Sequence, residues 1–167
     1  MTNLFSDLGG VVYSFDSTLD PLKHQSIFND LLHKNNLDKA PLKTILEFEW
    51  NSILKGDLKI YPIKSGIDNL LENQKTSKLI IISTSLVKTS KLILETLNIP
   101  TVGVEVFDIS DFGSKKDKKA WQQIFMEYTR VDVIVEDDPQ NLLVATNAAF
   151  DLGFKPVAHL AMPLLTK

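Results

Sequence analysis

Apolar and polar residues recur along the chain in two periods. Short apolar runs predict buried strands, and apolar residues spaced three and four positions apart predict helices between them. One strand leads into Asp7, and the later strands are predicted at residues 79–82, 101–106, 131–135 and 155–159. Strands and helices therefore alternate. Such alternation indicates an α/β protein, in which a parallel sheet lies between two layers of helices that are joined by right-handed crossovers.

One segment departs from this alternation. Residues 16–59 contain two helical patterns and no strand pattern, and they begin near Asp20-Pro21 and Ala40-Pro41, where a capping residue or proline favours a helix start. We therefore predict a small helical insert at 16–59 in an α/β core formed by residues 1–15 and 60–167. The apolar tail, 160–167, is expected to pack on the sheet edge or to form a contact surface.

The composition narrows the functional class. The 167 residues are 44% apolar and 23% charged, with a formal net charge of −3, which is ordinary for a soluble domain and unlike a protein that binds nucleic acid or a membrane surface. There is no cysteine, which excludes thiolate metal sites and cysteine nucleophiles. Neither a signal peptide nor a membrane span is predicted. We expect a cytoplasmic monomer or homodimer.

Polar groups follow the predicted strands where each strand ends. They are Asp7, Ser83-Thr84, the Lys115-Lys116 turn and the acidic run 136–138. Since the carboxyl ends of parallel strands lie along one edge of a sheet, these groups can converge although they are distant in sequence. Carboxylates suit Mg²⁺, a hydroxyl and a lysine can hold phosphate oxygens, and one carboxylate can attack phosphorus. The set predicts a phosphoryl-transfer site.

Four motifs in this order resemble the haloacid dehalogenase (HAD) superfamily of phosphohydrolases. The first, D-x-D-G-[TV] after an apolar strand, corresponds to residues 7–11, which read DLGGV. The second, a strand ending in Ser or Thr, corresponds to 79–83, with Thr84 as the alternative register. The lysine motif corresponds to 114–118 without its prolines, and the paired acids to 133–141. Receiver domains use similar groups, but there the acid pair precedes the lysine.

The resemblance implies a HAD-like, three-layer Rossmann-like fold in which the helical insert is a cap over the site. It also implies roles for single residues. Asp7 would be the nucleophile that forms an aspartyl-phosphate, and Ser83 or Thr84 would bind the phosphoryl oxygens. Lys115 would steady both the phosphate and the nucleophile.

The resemblance further implies a Mg²⁺ site and a small phosphorylated substrate. The metal would be held by Asp7, the backbone carbonyl of Gly9, and Asp137. Glu136 or Asp138 could assist Asp137, and the sequence leaves that choice open. The residues around Lys115 give independent support for an anion, because several lysines crowd a helix amino terminus, where cations are disfavoured. For those other lysines a solvated turn is the preferred interpretation.

Gly9 is the main departure from the family pattern. Phosphatases of the family carry an Asp at this position, which acts as general acid and then as base. Such catalysis is typically worth ~10²–10⁴ in rate. Three hypotheses follow. The first is a phosphatase whose substrate has a good leaving group or brings its own acid, and the second is a non-catalytic relative that binds a phosphorylated ligand or a partner protein. The third is a 2-haloacid dehalogenase, but the dehalogenases of the family use an arginine in the cap, and the only arginine here, Arg130, lies outside the insert.

The remaining candidate groups are assigned no chemistry. His24, His33 and His159 are scattered singly, and surface or structural roles are predicted for each of them. Trp50 lies at helical spacing in the insert and is predicted to belong to its core. Phe107-Asp108 is interpreted as a structural pair.

Overall fold

A five-stranded parallel sheet forms the centre of the protein, in the order β5-β4-β1-β6-β7. The structure is a computed structural model that describes residues 1–161. Its strands are β1 (Thr2–Ser6), β2 (Tyr13–Ser14), β3 (Tyr61–Pro62), β4 (Ser77–Ser83), β5 (Glu105–Asp108), β6 (Val133–Glu136) and β7 (Val157–Leu160). Strand β1, which leads into Asp7, therefore lies in the middle of the sheet, where both of its neighbours run parallel to it.

Six helices connect the strands in the described part of the chain. They are α1 (Pro21–Lys34), α2 (Leu42–Lys55), α3 (Lys64–Gln74), α4 (Val87–Thr96), α5 (Lys118–Phe125) and α6 (Pro139–Asp151). Their ends follow local sequence signals. Asp20 accepts a hydrogen bond from the Leu22 amide at the start of α1, at 2.9 Å, and Gly56 ends α2 with φ of 81°, as N-caps and left-handed C-caps do.

Alternating residues of the strands divide the core into two layers. Leu4 packs in one cluster with residues of α3 and α4 such as Leu70 and Ile93. Its neighbour Phe5 packs in the other, with Trp121 of α5 and with α6. Because side chains of a strand point alternately to its two faces, this division places helices on both sides of the sheet. The predicted three-layer α/β class is confirmed.

Helices α1 and α2 of the predicted insert lie between two very short strands. Strand β2 pairs antiparallel with β3, so that Tyr13 faces Pro62 and Ser14 faces Tyr61. The chain thus leaves the core and returns to it at adjacent points. This ribbon was not predicted, and the sequence indicated only a turn after Tyr13, because two residues are too few to show a period.

The strand predicted at 101–106 is wrong in its position. Residues 101–104 form a turn, in which the Val104 amide donates to the Thr101 carbonyl at 3.1 Å and Gly103 has φ of 77°. Val102 is 96% exposed. Val102 therefore faces solvent although it is β-branched, and β5 begins only at Glu105.

Most of the apolar tail lies outside the described residues, which end at 161, so the expectation for 160–167 stays a prediction. Within residues 1–161, none of the helices combines the length and the apolar character that crossing a bilayer requires.

Helix α3 holds the loop that follows Asp7. The Ile63 amide, just before α3, donates to the Val12 carbonyl at 2.9 Å. Gly66, in the first turn of α3, lies so close to this loop that a Cβ built on it would overlap the Val11 carbonyl oxygen. The helix packs directly against the backbone here, and only glycine allows that approach.

We therefore predict that Gly66→Ala destabilises the protein, although alanine is the better helix former. The added methyl must displace the Val11 backbone, and overpacking of this kind costs about 1–3 kcal/mol. Urea unfolding followed by circular dichroism measures the loss. Ser65→Ala, at the exposed neighbouring position, is the control. Equal stability of the two variants would contradict this packing.

Candidate active site

The site lies where the three central strands end. Ser6 of β1 is in register with Ile81 of β4 on one side and with Val135 of β6 on the other. The Asp7 amide continues the ladder by donating to the Val135 carbonyl at 3.0 Å. Asp7 therefore stands next to the acidic run 136–138, as expected for carboxyl ends of neighbouring parallel strands.

A buried lysine joins the carboxylates of two strands. Lys115 Nζ lies 2.8 Å from Asp7 Oδ1 and 2.7 Å from Glu136 Oε2. The side chains of Lys115 and Glu136 are 7% and 1% exposed. Asp7 Oδ1 also accepts from the Leu8 amide at 2.8 Å. Within residues 1–161, the contacts from Lys115 and from the Leu8 amide both engage Oδ1 of Asp7. Oδ2 of Asp7 therefore remains available to other partners.

The backbone of Lys115 is held by α5, the helix that follows it. Trp121, a fully buried residue of α5, donates from Nε1 to the Lys115 carbonyl at 2.9 Å. Asp117 caps α5 by accepting from the Lys119 amide at 3.0 Å. Lys115 is buried, whereas Lys116, Lys118 and Lys119 are exposed. The structure thus brings only the first of these lysines to Asp7.

Burial and charge decide the ionisation of these groups. Burial opposes ionisation of Asp7, but the Lys115 charge and several hydrogen bonds outweigh it and lower the pKa of Asp7. Burial would depress the pKa of Lys115, and the charges of Asp7 and Glu136 raise it instead. Burial and the Asp7 charge raise the pKa of Glu136 well above its usual range, and they raise the pKa of Asp137 to about 7.

Three carboxylates form a cluster that fits a divalent cation. Oxygens of Asp7, Glu136 and Asp137 all lie within 4.8 Å of one another. Glu136 Oε1 is buried and has no hydrogen-bond partner in the described part of the chain. Three acids face one lysine here, so the cluster carries unbalanced negative charge when its members are ionised. A hard cation with oxygen ligands would balance that charge and engage the unpartnered oxygen.

Gly10 allows Asp137 to occupy this cluster. Its φ of 76° lies in the left-handed region, and a Cβ built on it would overlap the Asp137 carboxylate. Asp138 has a different place, because its Oδ1 accepts from the amides of Gln140 and Asn141 at 2.8 and 3.4 Å and so caps α6. Of the three acids that the sequence left open, the structure brings Glu136 and Asp137 to Asp7.

The two predicted phosphate-binding hydroxyls are placed differently. Ser83 is buried, and its Oγ accepts from the Ser85 amide at 2.8 Å and from Ser90 Oγ at 3.0 Å. Thr84 is exposed. Both residues line the same cavity as Asp7, Gly9 and the carboxylates.

This cavity has a volume of about 250 Å³, and the helical insert supplies part of its wall. Two polar residues of the insert, His24 of α1 and Glu49 of α2, line it together with Phe15 and Phe28. Sequence reasoning missed both. His24 had been assigned a surface or structural role, but it stands in the cavity wall. A sequence signal could have revealed Glu49, because it lies one turn after Leu46 on the apolar face of its helix.

Glu49 is 7% exposed, and its Oε1 has no hydrogen-bond partner among the described residues. Burial raises the pKa of Glu49 to about 7, with a smaller contribution from the charge of Asp108, while a hydrogen bond from Ser85 opposes the shift. The insert therefore presents a carboxyl group to the cavity, and the pKa of this group is near neutral.

No family model matches the sequence. No curated protein matches it either. Solved structures do match the fold. The HAD domain of the effector protein Lem4 from Legionella pneumophila aligns with a TM-score of 0.60 at 18% identity, covering 99% of this chain and 89% of that one. UTR4 from Saccharomyces cerevisiae aligns with a TM-score of 0.55 at 18% identity, covering 95% and 89%.

A magnesium complex of the HAD family enzyme BT-2542 from Bacteroides thetaiotaomicron aligns with a TM-score of 0.54 at 14% identity, covering 96% of this chain and 94% of that one. These alignments span nearly the whole described chain, insert included. The chain therefore has the HAD-like fold, as the motif order had implied.

We predict that Lys115→Met strongly destabilises the protein. The substitution keeps an unbranched side chain that is one atom shorter, but it leaves buried Asp7 and Glu136 without their cation, and loss of one partner of a buried ion pair costs about 3–5 kcal/mol. Chemical denaturation at neutral pH without Mg²⁺ measures the loss. Lys116→Met, at an exposed position, should change stability by less than about 0.5 kcal/mol. Similar losses in both variants would refute the bridging role.

We predict that Glu49→Gln stabilises the protein at alkaline pH. The pKa of Glu49 is about 7 in the folded protein, against 4.5 for the free group, so wild-type stability is lost as pH rises from about 4.5 through 7. Glutamine does not ionise, and the variant should exceed wild type by up to about 3 kcal/mol at pH 8. The two should have similar stability near pH 4.

Denaturant titrations at the two pH values measure this difference. Glu47→Gln is the matched control, since Glu47 lies on the same helix but is half exposed and pairs with Lys88 at 3.0 Å. A pH-independent difference between Glu49→Gln and wild type would contradict the raised pKa of Glu49.

Proposed function

We propose that this protein is a Mg²⁺-dependent phosphohydrolase that acts on a small phosphorylated metabolite through an aspartyl-phosphate intermediate. The observation that carries the proposal is the position of Asp7, which is bridged by Lys115 to Glu136 and lies beside Asp137 at the end of the central strand. A nucleophile, a fixed cation and a metal-binding cluster thus meet in one cavity.

Asp7 has the properties required of a nucleophile. The lowered pKa keeps its carboxylate ionised at neutral pH. Lys115 and the Leu8 amide hold Oδ1 and so fix the orientation of the carboxylate. Oδ2 can then attack phosphorus, with the bond to the leaving oxygen breaking on the opposite side. Attack of water on the aspartyl-phosphate would release phosphate and restore Asp7.

The carboxylates of Asp7 and Asp137 and the backbone carbonyl of Gly9 would hold Mg²⁺, with Glu136 beside them. When bound, the ion would supply positive charge for the phosphate oxygens. The cluster geometry, the unpartnered Glu136 oxygen and the magnesium complex of BT-2542 support this choice. Lys115, Ser83 and Thr84 line the cavity where further phosphate oxygens would lie.

The size of the cavity favours a small substrate. About 250 Å³ is below the usual range of about 300–1,000 Å³ for ligand pockets. A phosphoryl group with a compact remainder would fill it. A larger substrate would require the insert to move away from the strand ends.

A non-catalytic binding protein is the second candidate, and Gly9 favours it because this position supplies no proton donor. The third candidate, a 2-haloacid dehalogenase, finds less support. Arg130 precedes β6 and pairs with Asp132 at 2.9 Å. That is the amino end of the strand, whereas the cavity lies at the carboxyl end.

We predict that the purified protein hydrolyses para-nitrophenyl phosphate when Mg²⁺ is present, and that chelation of the metal or Asp7→Asn abolishes turnover. The nitrophenolate leaves with little proton assistance, so this substrate tests the nucleophile and the metal without requiring an acid at Gly9. Release of nitrophenolate is followed by its absorbance.

Asp111→Asn, an exposed aspartate outside the cavity, is the matched control and should leave turnover unchanged. Calorimetric titration with Mg²⁺ separates the two leading candidates. Binding of Mg²⁺ without turnover in the folded protein would favour the non-catalytic role, and turnover that survives Asp7→Asn would refute the aspartyl-phosphate route.

A further inference from the structure

The space beside Gly9 is filled by polar groups from the region of the insert. A Cβ built on Gly9 would lie 3.2 Å from His24 Nε2 and 3.5 Å from the Tyr13 hydroxyl. His24 belongs to α1, and Tyr13 to the strand that leads into the insert. A side chain at position 9 would therefore begin in tight contact with an imidazole nitrogen, and His24 lines the same cavity as Asp7.

The orientation of His24 is fixed by the backbone. Its Nδ1 accepts a hydrogen bond from the Phe15 amide at 2.8 Å. Its ring stacks on the Phe15 ring, with centroids 4.7 Å apart and planes at 21°, and meets the Tyr13 ring edge to face at 5.5 Å. Because a neutral imidazole that accepts at one nitrogen carries its hydrogen on the other, Nε2 is the donor.

The hydrogen bond from the Phe15 amide favours the neutral form of the ring. A proton added at Nδ1 would break this bond, since two donors would then face each other. His24 can therefore donate a hydrogen bond from Nε2, but it is not arranged to transfer a proton.

The donor and the nucleophile line the same cavity from different parts of the chain. Asp7 and Lys115 line it from the strand ends, and His24 lines it from the insert. In-line displacement at phosphorus puts the leaving oxygen opposite the attacking one. When Asp7 Oδ2 attacks phosphorus, the oxygen that leaves phosphorus would therefore depart on the side away from Asp7, where residues of the insert can contact it.

We propose that His24 Nε2–H replaces the absent acid at position 9 as a hydrogen-bond donor to the leaving-group oxygen. This inference rests on the proposed phosphohydrolase function. The bond from Asp7 Oδ2 to phosphorus forms while the bond to the leaving oxygen breaks. The electron pair stays on that oxygen, which departs as an oxyanion bonded to Nε2–H and later takes its proton from water.

The proposal selects a class of substrate. A neutral imidazole stabilises an oxyanion without neutralising it, so strongly basic alkoxides remain poor leaving groups. Aryl phosphates, acyl phosphates and phosphoanhydrides, whose leaving oxygens are weak bases, are the expected substrates. Phosphate monoesters of simple alcohols should be hydrolysed far more slowly.

Two substitutions of His24 separate its structural contact from its donor. In His24→Asn the amide oxygen reaches the position of Nδ1 and can accept from the Phe15 amide, but no atom reaches the position of Nε2. In His24→Gln the amide nitrogen reaches the position of Nε2 and preserves a donor. Each variant is assayed on a series of substituted phenyl phosphates of graded phenol acidity, with kcat and KM determined separately.

For His24→Asn we expect a loss of about tenfold or more in kcat on phenyl phosphate, since loss of one oxyanion donor costs up to about 10²–10³. The loss should be smaller on para-nitrophenyl phosphate, and KM should change little. The dependence of kcat on phenol acidity therefore becomes steeper. His24→Gln should keep the wild-type dependence. His33→Asn, at a position with an 82% exposed side chain, should match wild type throughout.

Equal losses across the series in His24→Asn, or a steeper dependence in His24→Gln, would overturn the donor role. If the Asn variant does not fold, His24→Ala takes its place, and the same steeper dependence on phenol acidity is expected, with His24→Gln as its comparison. Absence of wild-type turnover on every ester would overturn the proposed function and this inference with it. Wild-type turnover combined with unchanged dependence in both variants overturns this inference alone.

Discussion

The site depends on one buried ammonium group. Lys115 carries its charge into the protein interior, which is costly unless the charge is paired, and it is paired with Asp7 and Glu136 at 2.8 and 2.7 Å. These carboxylates come from two neighbouring strands, β1 and β6. The lysine therefore fixes the ends of both strands relative to each other, and it keeps Asp7 ionised in a place where burial alone would favour the protonated acid.

The sheet and the insert make different contributions to the cavity. The strand ends provide ionisable groups, namely one lysine and the carboxyl groups of Asp7, Glu136 and Asp137, which would carry an excess of negative charge when all three are ionised and would then favour a further cation. The insert provides groups that are neutral or nearly so, His24 and Glu49, whose ionisation burial opposes. In the proposed mechanism, the groups that react with phosphorus would be held by the rigid sheet, and the leaving part of the substrate would face the insert.

The sequence predicted the strand ends and the two helices of the insert, but not which side chains of the insert reach the cavity, for physical reasons. Asp7, Lys115 and Asp137 each follow a local pattern, and the geometry of a parallel sheet brings such positions together whatever the details of packing. The place of His24 depends on how α1 lies over the strand ends, which no local pattern records. Strand β5 was misplaced because Val102 has a strand-like sequence but lies in a turn created by Gly103.

Gly9 connects these two halves of the molecule. A Cβ there would lie 3.2 Å from His24 Nε2, so a side chain at position 9 would require the imidazole to move by a few tenths of an ångström. Glycine at position 9 supplies no proton donor, and it also leaves the space in which His24 of the insert approaches the loop. Since that donor is a neutral ring held at Nδ1 by the Phe15 amide, it can stabilise charge on a departing oxygen but cannot neutralise it. Under the proposed function, the absent carboxyl group would narrow the substrates to those whose leaving groups are already weak bases, which a site with its own acid would not require.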